Sequence, residues 1–483
     1  MLEKDTTKTR VLAFDFGASS GRAIVGTFDS GGLQFEEVHR FANEPIVQDG
    51  HLRWNYEALL REVQIGIQKA DSFESVGFDT WGVDFGLLDE KGDLLELPVH
   101  YRDERTKNIC DRVFEKISAE ELYARTGNQI MTINTLFQLA ALQKENPELL
   151  EKARRLLFMP DLFAHALCGS MACETTISST SQLFRPVERD WDYDLLAKLQ
   201  IPSRLFELPV KSGTILGNYR SAKVIAVAGH DTQCAVAALP SEKDDIAFLS
   251  CGTWALLGTE LQSPILTSES MRQGLSNEVG ADGKIQYLKN ITGLWIIQEC
   301  RRRWRESGFT YSYAELAGEA AKAEGLRSFI DPDAPEFASP GDMPSRIREY
   351  CQRTRQPVPQ NIGEICRCVY ESLALKVRYS VEQLGALCKK SFSALHILGG
   401  GSNIELLCTI LADCTGLPVI AGPSEATALG NILIQLHALG RLKSLTEGRK
   451  LIEKSQQVKR FEPYSSGKIE EAYIRFCNLI NKN

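Results

Sequence analysis

Residues 11 to 28 read VLAFDFGASSGRAIVGTF: an apolar run, a small-residue centre from Gly17 to Gly21, and a second apolar run of similar length. That layout predicts two antiparallel strands joined by a tight turn. Residues 246 to 258, IAFLSCGTWALLG, repeat it around Ser250 to Thr253. Both turns combine glycine with hydroxyl side chains, Gly17 with Ser19 and Ser20 in the first and Gly252 with Thr253 in the second. The recurrence predicts two related α/β domains, residues 1–240 and 241–483, with the charged stretch SEKDD at 241–245 as a surface crossover. Two glycine-containing hairpins can also resemble each other by chance.

Between and beyond the hairpins, strand-like and helix-like stretches alternate. Asn55-Tyr56-Glu57 reads as a helix start, with Leu59, Val63 and Ile67 recurring on one face, and Ser75 to Asp79 as a strand. Val224 to Ala228 is a further strand. In the second half, Ile365, Val369, Leu373, Val377 and Val381 mark a long helix leading to the strand Ala394 to Leu398, then Gly399-Gly400-Gly401-Ser402-Asn403 and another helix from about Ile404. Asp331 to Pro340 reads as a loop. Such alternation favours a largely parallel or mixed sheet covered by helices.

At 483 residues the chain is about three times the ~150-residue domain mode, which excludes a peptide hormone or a disulfide mini-protein. Hydrophobic residues at 43% and charged residues at 24% are those of a globular protein. Lys plus Arg number 55 and Asp plus Glu 63, a net charge of −8, so no overall field favours nucleic acid or an anionic membrane, and a bound phosphate must be met locally. The 13 cysteines are scattered from Cys110 to Cys477 without a C-x-x-C pair, which predicts free thiols rather than a zinc site or a disulfide framework. The charged start MLEKDTTKTR and the lack of an apolar run near the ~18 residues of a membrane span lead us to expect a cytoplasmic protein.

Three small-residue turns follow apolar strands. Phosphate chains need close backbone approach, which glycine permits. Ala18, Ser19, Ser20 and Gly21 can cradle phosphate oxygens with Arg22 adding charge, Gly252 and Thr253 can close on the phosphates, and Gly399 to Gly401 offer a flat surface to a nucleoside. Asp15, at the end of its strand, is placed to hold Mg²⁺ through water. Each turn alone is also an ordinary tight turn. G-x-x-x-x-G-K-[ST], a dinucleotide fingerprint and the protein-kinase landmarks are all absent, leaving the plan in which two hairpins hold the phosphates.

Two polar clusters complete the set. In Gly229-His230-Asp231-Thr232, a carboxylate after a strand can accept the proton of an attacking hydroxyl, or simply cap the next helix. Asp79-Thr80-Trp81-Gly82-Val83-Asp84-Phe85 mixes carboxylates, hydroxyl and aromatic faces as sugar sites do, although Trp81 also suits a plain core.

These strings, with Tyr101-Arg-Asp-Glu-Arg-Thr106, Met159-Pro-Asp161, Lys289-Asn-Ile-Thr-Gly-Leu-Trp295, Leu398-Gly-Gly-Gly-Ser402 and Ala421-Gly-Pro-Ser-Glu-Ala-Thr427, resemble the FGGY carbohydrate kinase family over nearly the whole chain. Asp15-Phe-Gly-Ala-Ser-Ser-Gly-Arg22 and Asp79 to Phe85 resemble its L-rhamnulose branch in particular. The resemblance implies two actin-like (ribonuclease H-like) α/β ATPase domains with a catalytic cleft between them, and transfer of phosphate from ATP, with Mg²⁺, to the C1 hydroxyl of L-rhamnulose. L-fuculose or D-xylulose as substrate, or a non-kinase actin-like ATPase, are the alternatives. By the same resemblance Asp231 is the catalytic base, Ala18 to Arg22 the first phosphate segment and Thr253 the second phosphate contact. Asn290, Gln298 and Gly400 are further ATP contacts, and Gly82 and His230 sugar contacts. Thr80, Asp84 and Arg102 are added as sugar contacts from the residues themselves. Monomer and homodimer both remain open.

Overall fold

The computed structural model describes residues 8–456, 458–464 and 466–481. The first six residues of MLEKDTTKTR and Thr7 lie outside them. The chain divides into two units, and the single cut expected after residue 240 is corrected. The first unit comprises Met1–Glu242, Glu260–Tyr287 and Ala426–Ser455; the second comprises Lys243–Thr259, Leu288–Glu425 and Gln456–Asn483.

In the first unit, β1 (Thr9–Phe16), β2 (Ser20–Asp29), β3 (Gly32–Ala42), β4 (Ser75–Thr80), β5 (Thr214–Tyr219) and β6 (Ala222–Ala226) form one sheet in the order β5-β6-β4-β1-β2-β3. The hairpin places Asp15 opposite Arg22 and Phe14 opposite Ala23, while β1 runs parallel to β4 with Asp15 beside Asp79. Residues Val11 to Phe16 are all buried, as in a strand covered on both faces, whereas edge strand β3 exposes Gln34, Glu36 and Glu37. Helix α1 (Tyr56–Ala70) starts where Asn55 accepts a bond from the Ala58 N–H, and it buries Leu59, Val63 and Ile67. Its Gly66 lies against Phe14 and Ala23. The opposite face of the sheet, carrying Gly26 and Gly77, receives the returning helix Ala426–Ala438 through Ile432 and Asn431. That apolar helix carries two buried amides for a reason. Asn431 Nδ2 donates to the Gly77 carbonyl, and Gln435 Nε2 to that of Leu12.

In the second unit, β7 (Ile246–Cys251), β8 (Trp254–Leu261), β9 (Ala394–Leu398), β10 (Val419–Ala421) and β11 (Lys459–Phe461) run in the order β8-β7-β9-β10-β11. Strand β7 pairs antiparallel with β8 and parallel with β9, as β1 does with β2 and β4. The expected repeat is therefore present in the strand pairing itself. The long helix spans Ile362–Cys388, capped by Asn361, and the helix after the glycines spans Glu405–Thr415. The loop 331–340 contains one 3₁₀ turn, Pro335–Phe337, and β6 ends two residues before Ala228. All thirteen cysteines are free thiols. Among the described residues, no helix is long and apolar enough to cross a membrane.

Candidate active site

The β1–β2 turn of the first unit is a tied loop. The Gly17 N–H donates to the Ser20 carbonyl at 2.9 Å, while Asn43 donates from its amide to Gly17 O at 3.0 Å and from its backbone N–H to Ser19 O at 3.1 Å. Ser19 is exposed, Ala18 and Ser20 are half-buried, and Gly21 is buried where a Cβ would overlap the Phe41 ring. Arg22 does not extend from the turn as a bare charge: its guanidinium meets Asp15 Oδ2 at 2.5 Å.

Asp15, Asp79 and Asp231 form an acidic group sharing one field. Asp79 is fully buried; Oδ2 accepts from Asn431 at 2.7 Å and Oδ1 has no hydrogen-bond partner. Burial and then the charge of Asp15 push its pKa well above the ordinary range. Asp231 opens the helix Asp231–Ala237 with its side chain 31% exposed, and its Oδ1 accepts from the Thr232 N–H at 2.6 Å and from the Thr232 hydroxyl at 3.2 Å. Its pKa is raised, first by burial and then by Asp15, against the lowering effect of His230. A raised carboxylate pKa makes a stronger proton acceptor.

The Asp79–Phe85 stretch is stitched to this turn. The Thr80 N–H donates to the Gly229 carbonyl at 2.9 Å, and Thr80 bridges to His230 in parallel. Thr80, His230 and Asp231 are thus brought together. Two expected sugar contacts are corrected. Thr80 is fully buried with its hydroxyl donating to Trp81 O at 2.8 Å. Asp84 is fully buried and occupied: Oδ2 accepts from Trp54 Nε1, Trp81 Nε1 and the Tyr101 N–H, and Oδ1 from Gln138 Nε2. Burial raises its pKa to about 6 against those four bonds. Asp84 is the peg on which an aromatic wall hangs, with the Trp54 and Trp81 ring centroids 3.9 Å apart. Gly82 lies against Thr180, and Arg102 is half-buried with its guanidinium 5.4 Å from the Tyr101 ring centroid.

Two buried carboxylates escaped sequence reading. Glu174 Oε2 accepts from the N–H groups of Thr176, Ile177 and Gly229, fixing the turn before His230. Glu278 accepts from His230 and Gln233. Glu174 heads the hydroxyl-rich run ETTISSTS, a signal that could have marked it; Glu278 in SNEV has none.

In the second unit, the β7–β8 turn is bound to the start of the helix Trp295–Glu306: Leu294 N donates to Gly252 O at 2.8 Å and Trp295 N to Thr253 O at 3.2 Å. The Thr253 hydroxyl donates to Gln298 Oε1 at 3.1 Å. Asn290 is half-buried on the strand Ile285–Thr292. Gly399 has φ 75°, and at Gly401 a Cβ would press on the Cys251 sulfur at 2.5 Å. Gly400, in the 3₁₀ turn Gly400–Asn403, is exposed with open space around it.

The N-terminal-domain profile of the FGGY family of carbohydrate kinases matches residues 10–242, and the C-terminal-domain profile matches residues 247–439. The chain belongs to the FGGY family of carbohydrate kinases. This FGGY kinase is 42% identical to a rhamnulokinase of Bacteroides thetaiotaomicron, over 98% of this chain and 100% of that protein, and 39% identical to a rhamnulokinase of Enterococcus faecalis over 94% of each. Its fold matches a xylulose kinase of Lactobacillus acidophilus (TM-score 0.80, 15% identity, 98% of each chain). It also matches a Plasmodium falciparum glycerol kinase with ADP (TM-score 0.74, 15% identity, 98% of this chain and 97% of that one). The enzyme is a carbohydrate kinase and, as such, takes ATP.

Replacing Asp84 with Ala would leave two buried indole N–H groups unpaired. The expected cost is about 3 kcal/mol of stability, read as a lower urea midpoint by tryptophan fluorescence; an unchanged midpoint would remove Asp84 as the wall's anchor.

Proposed function

We propose that this FGGY kinase transfers the γ-phosphoryl group of ATP to the C1 hydroxyl of L-rhamnulose, giving L-rhamnulose 1-phosphate and ADP in L-rhamnose degradation. The observation that carries the substrate is the 42% identity with a rhamnulokinase across the full length of both chains. In this reading, Asp231 accepts the C1–OH proton as the oxygen attacks phosphorus in line. Thr232 orients the carboxylate by occupying Oδ1. His230 and Gly82 contact the sugar, with Arg102 at its margin, while Thr80 and Asp84 support that surface from beneath. The turn from Ala18 to Arg22 and, in the second unit, Thr253 hold phosphate oxygens, and Asn290, Gln298 and Gly400 hold the rest of the nucleotide.

Mg²⁺ fits this donor set. Such an ion is held by one or two carboxylates, waters and the nucleotide's own phosphates rather than by a protein cage. Asp15, with Oδ2 shared with Arg22, is the residue that would hold it. When bound, the ion neutralises charge on the phosphate oxygens. The thirteen free thiols support a reducing compartment, the cytoplasm.

A coupled ADP-release assay over L-rhamnulose, L-fuculose, D-xylulose and glycerol tests the substrate. L-rhamnulose is expected to give the highest kcat/KM; another ketose ranking first would overturn this assignment.

A further inference from the structure

His230 stands between two carboxylates. Its Nδ1 lies 2.8 Å from Oε2 of Glu278 and its Nε2 lies 3.5 Å from Oδ1 of Asp231. Glu278 is buried on the strand Ser276–Val279, and the same Oε2 accepts from Gln233 Nε2 at 2.8 Å, so its position is fixed from two sides. A neutral imidazole carries one N–H. Were Nδ1 the donor to Glu278, a neutral ring would turn its Nε2 lone pair towards the Asp231 carboxylate, acceptor against acceptor. A doubly protonated ring presents an N–H to each of the two carboxylates.

The charged groups facing the imidazole are Glu278 from that strand, Asp231 on its own helix, and Glu174, which caps the short helix Thr175–Ser178. Burial pulls the His230 pKa down; the charge and hydrogen bond of Glu278, then Asp231 and Glu174, more than reverse this, and the net direction is up. The resulting cation lowers the Asp231 pKa, opposing burial and Asp15.

We propose that Glu278 is a positioning residue of this kinase: by fixing Nδ1 of His230 it keeps the ring doubly protonated, with Nε2–H directed at Asp231, so that the base is oriented and kept ionised by a cation behind it. The kinetic part of this proposal rests on the L-rhamnulose reading; the charge state of His230 does not.

The test uses the full-length chain and its Glu278→Gln variant, which preserves shape and hydrogen bonding while removing the charge. Ring-nitrogen NMR of labelled histidine, with the His230 signal assigned by its loss in His230→Asn, is expected to show both ring nitrogens protonated at pH 7.5 in the wild type and a neutral ring in Glu278→Gln. With the cation gone, the Asp231 pKa rises. The acid limb of the kcat/KM profile with L-rhamnulose is therefore expected to move up by about one pH unit. A wild-type His230 titrating near its ordinary value of about 6.5 overturns the proposal. So does a variant whose His230 charge and acid limb are both unchanged. If the variant fails to fold, the wild-type spectrum decides. If L-rhamnulose is not phosphorylated at all, the substrate assignment fails while the spectra still decide the role of Glu278.

Discussion

Asp231→Asn is expected to lower kcat with L-rhamnulose by about 10²–10⁴-fold, the usual contribution of one positioned base, with KM for the sugar and the affinity for ATP changing by no more than a few-fold. The amide retains the carboxylate's shape and can still accept from the Thr232 N–H and hydroxyl, so the helix start should survive. It cannot take a proton at neutral pH. Stability supplies an independent check of sign. The Asp231 pKa is raised in the folded state, so above the unfolded carboxylate's value of about 3.9 its ionisation costs stability, and the cost grows as pH rises to the folded pKa. Asn has no such cost, so the variant's stability should fall less with pH through that window and its Tm at neutral pH should equal or exceed the wild type's. ADP release with and without sugar, calorimetric titration with ATP, and thermal melts across pH measure all of this. A variant that turns over normally would take Asp231 out of the mechanism.

The local grammar of the chain was open to reading from residues alone. Gly17 and Gly252, each flanked by apolar runs and hydroxyls, marked both hairpins, and Asn55 marked the start of α1, because turns and caps are decided within a few residues. What could not be read that way depends on partners distant in sequence. Helix Ala426–Ala438 joins the first unit because Asn431 and Gln435 reach Gly77, Asp79 and Leu12, more than 350 residues earlier. Nothing in ATALGNILIQLHA says which core it covers. The Asp79–Phe85 run looked like a sugar-facing surface because its residue types suit carbohydrate. Instead every residue of the run except Gly82 is buried, and Trp54 and Gln138, remote in sequence, consume the Asp84 carboxylate. Glu278 shows the same limit: a glutamate on a strand is unremarkable until His230 is found beside it.

The tightest glycine contact among the described residues of the first unit yields the second large effect. At Gly430, on the helix Ala426–Ala438, a Cβ would overlap the carbonyl oxygen of Cys234 on the helix Asp231–Ala237. The obstacle is main chain, and a side chain swinging aside cannot relieve it. Gly430→Ala must therefore push the two helices apart, and overpacking of this kind costs about 1–3 kcal/mol or more, or roughly 2–4 °C of Tm per kcal/mol for a unit of this size. The displaced helix begins at Asp231, so kcat should fall with stability, and sub-ångström precision at the base makes about tenfold a reasonable expectation. Gly318→Ala is the control that isolates the cause. Gly318 lies on the exposed side of the helix Tyr313–Lys322 with nothing within 4 Å of a new Cβ, so there alanine's higher helix propensity acts alone. It should stabilise by up to about 1 kcal/mol. The same methyl group is thus expected to act with opposite sign at two helical glycines, in thermal melts of both variants. A Gly430→Ala enzyme as stable and as active as the wild type would mean that the contact with Cys234 does not hold the catalytic helix in place.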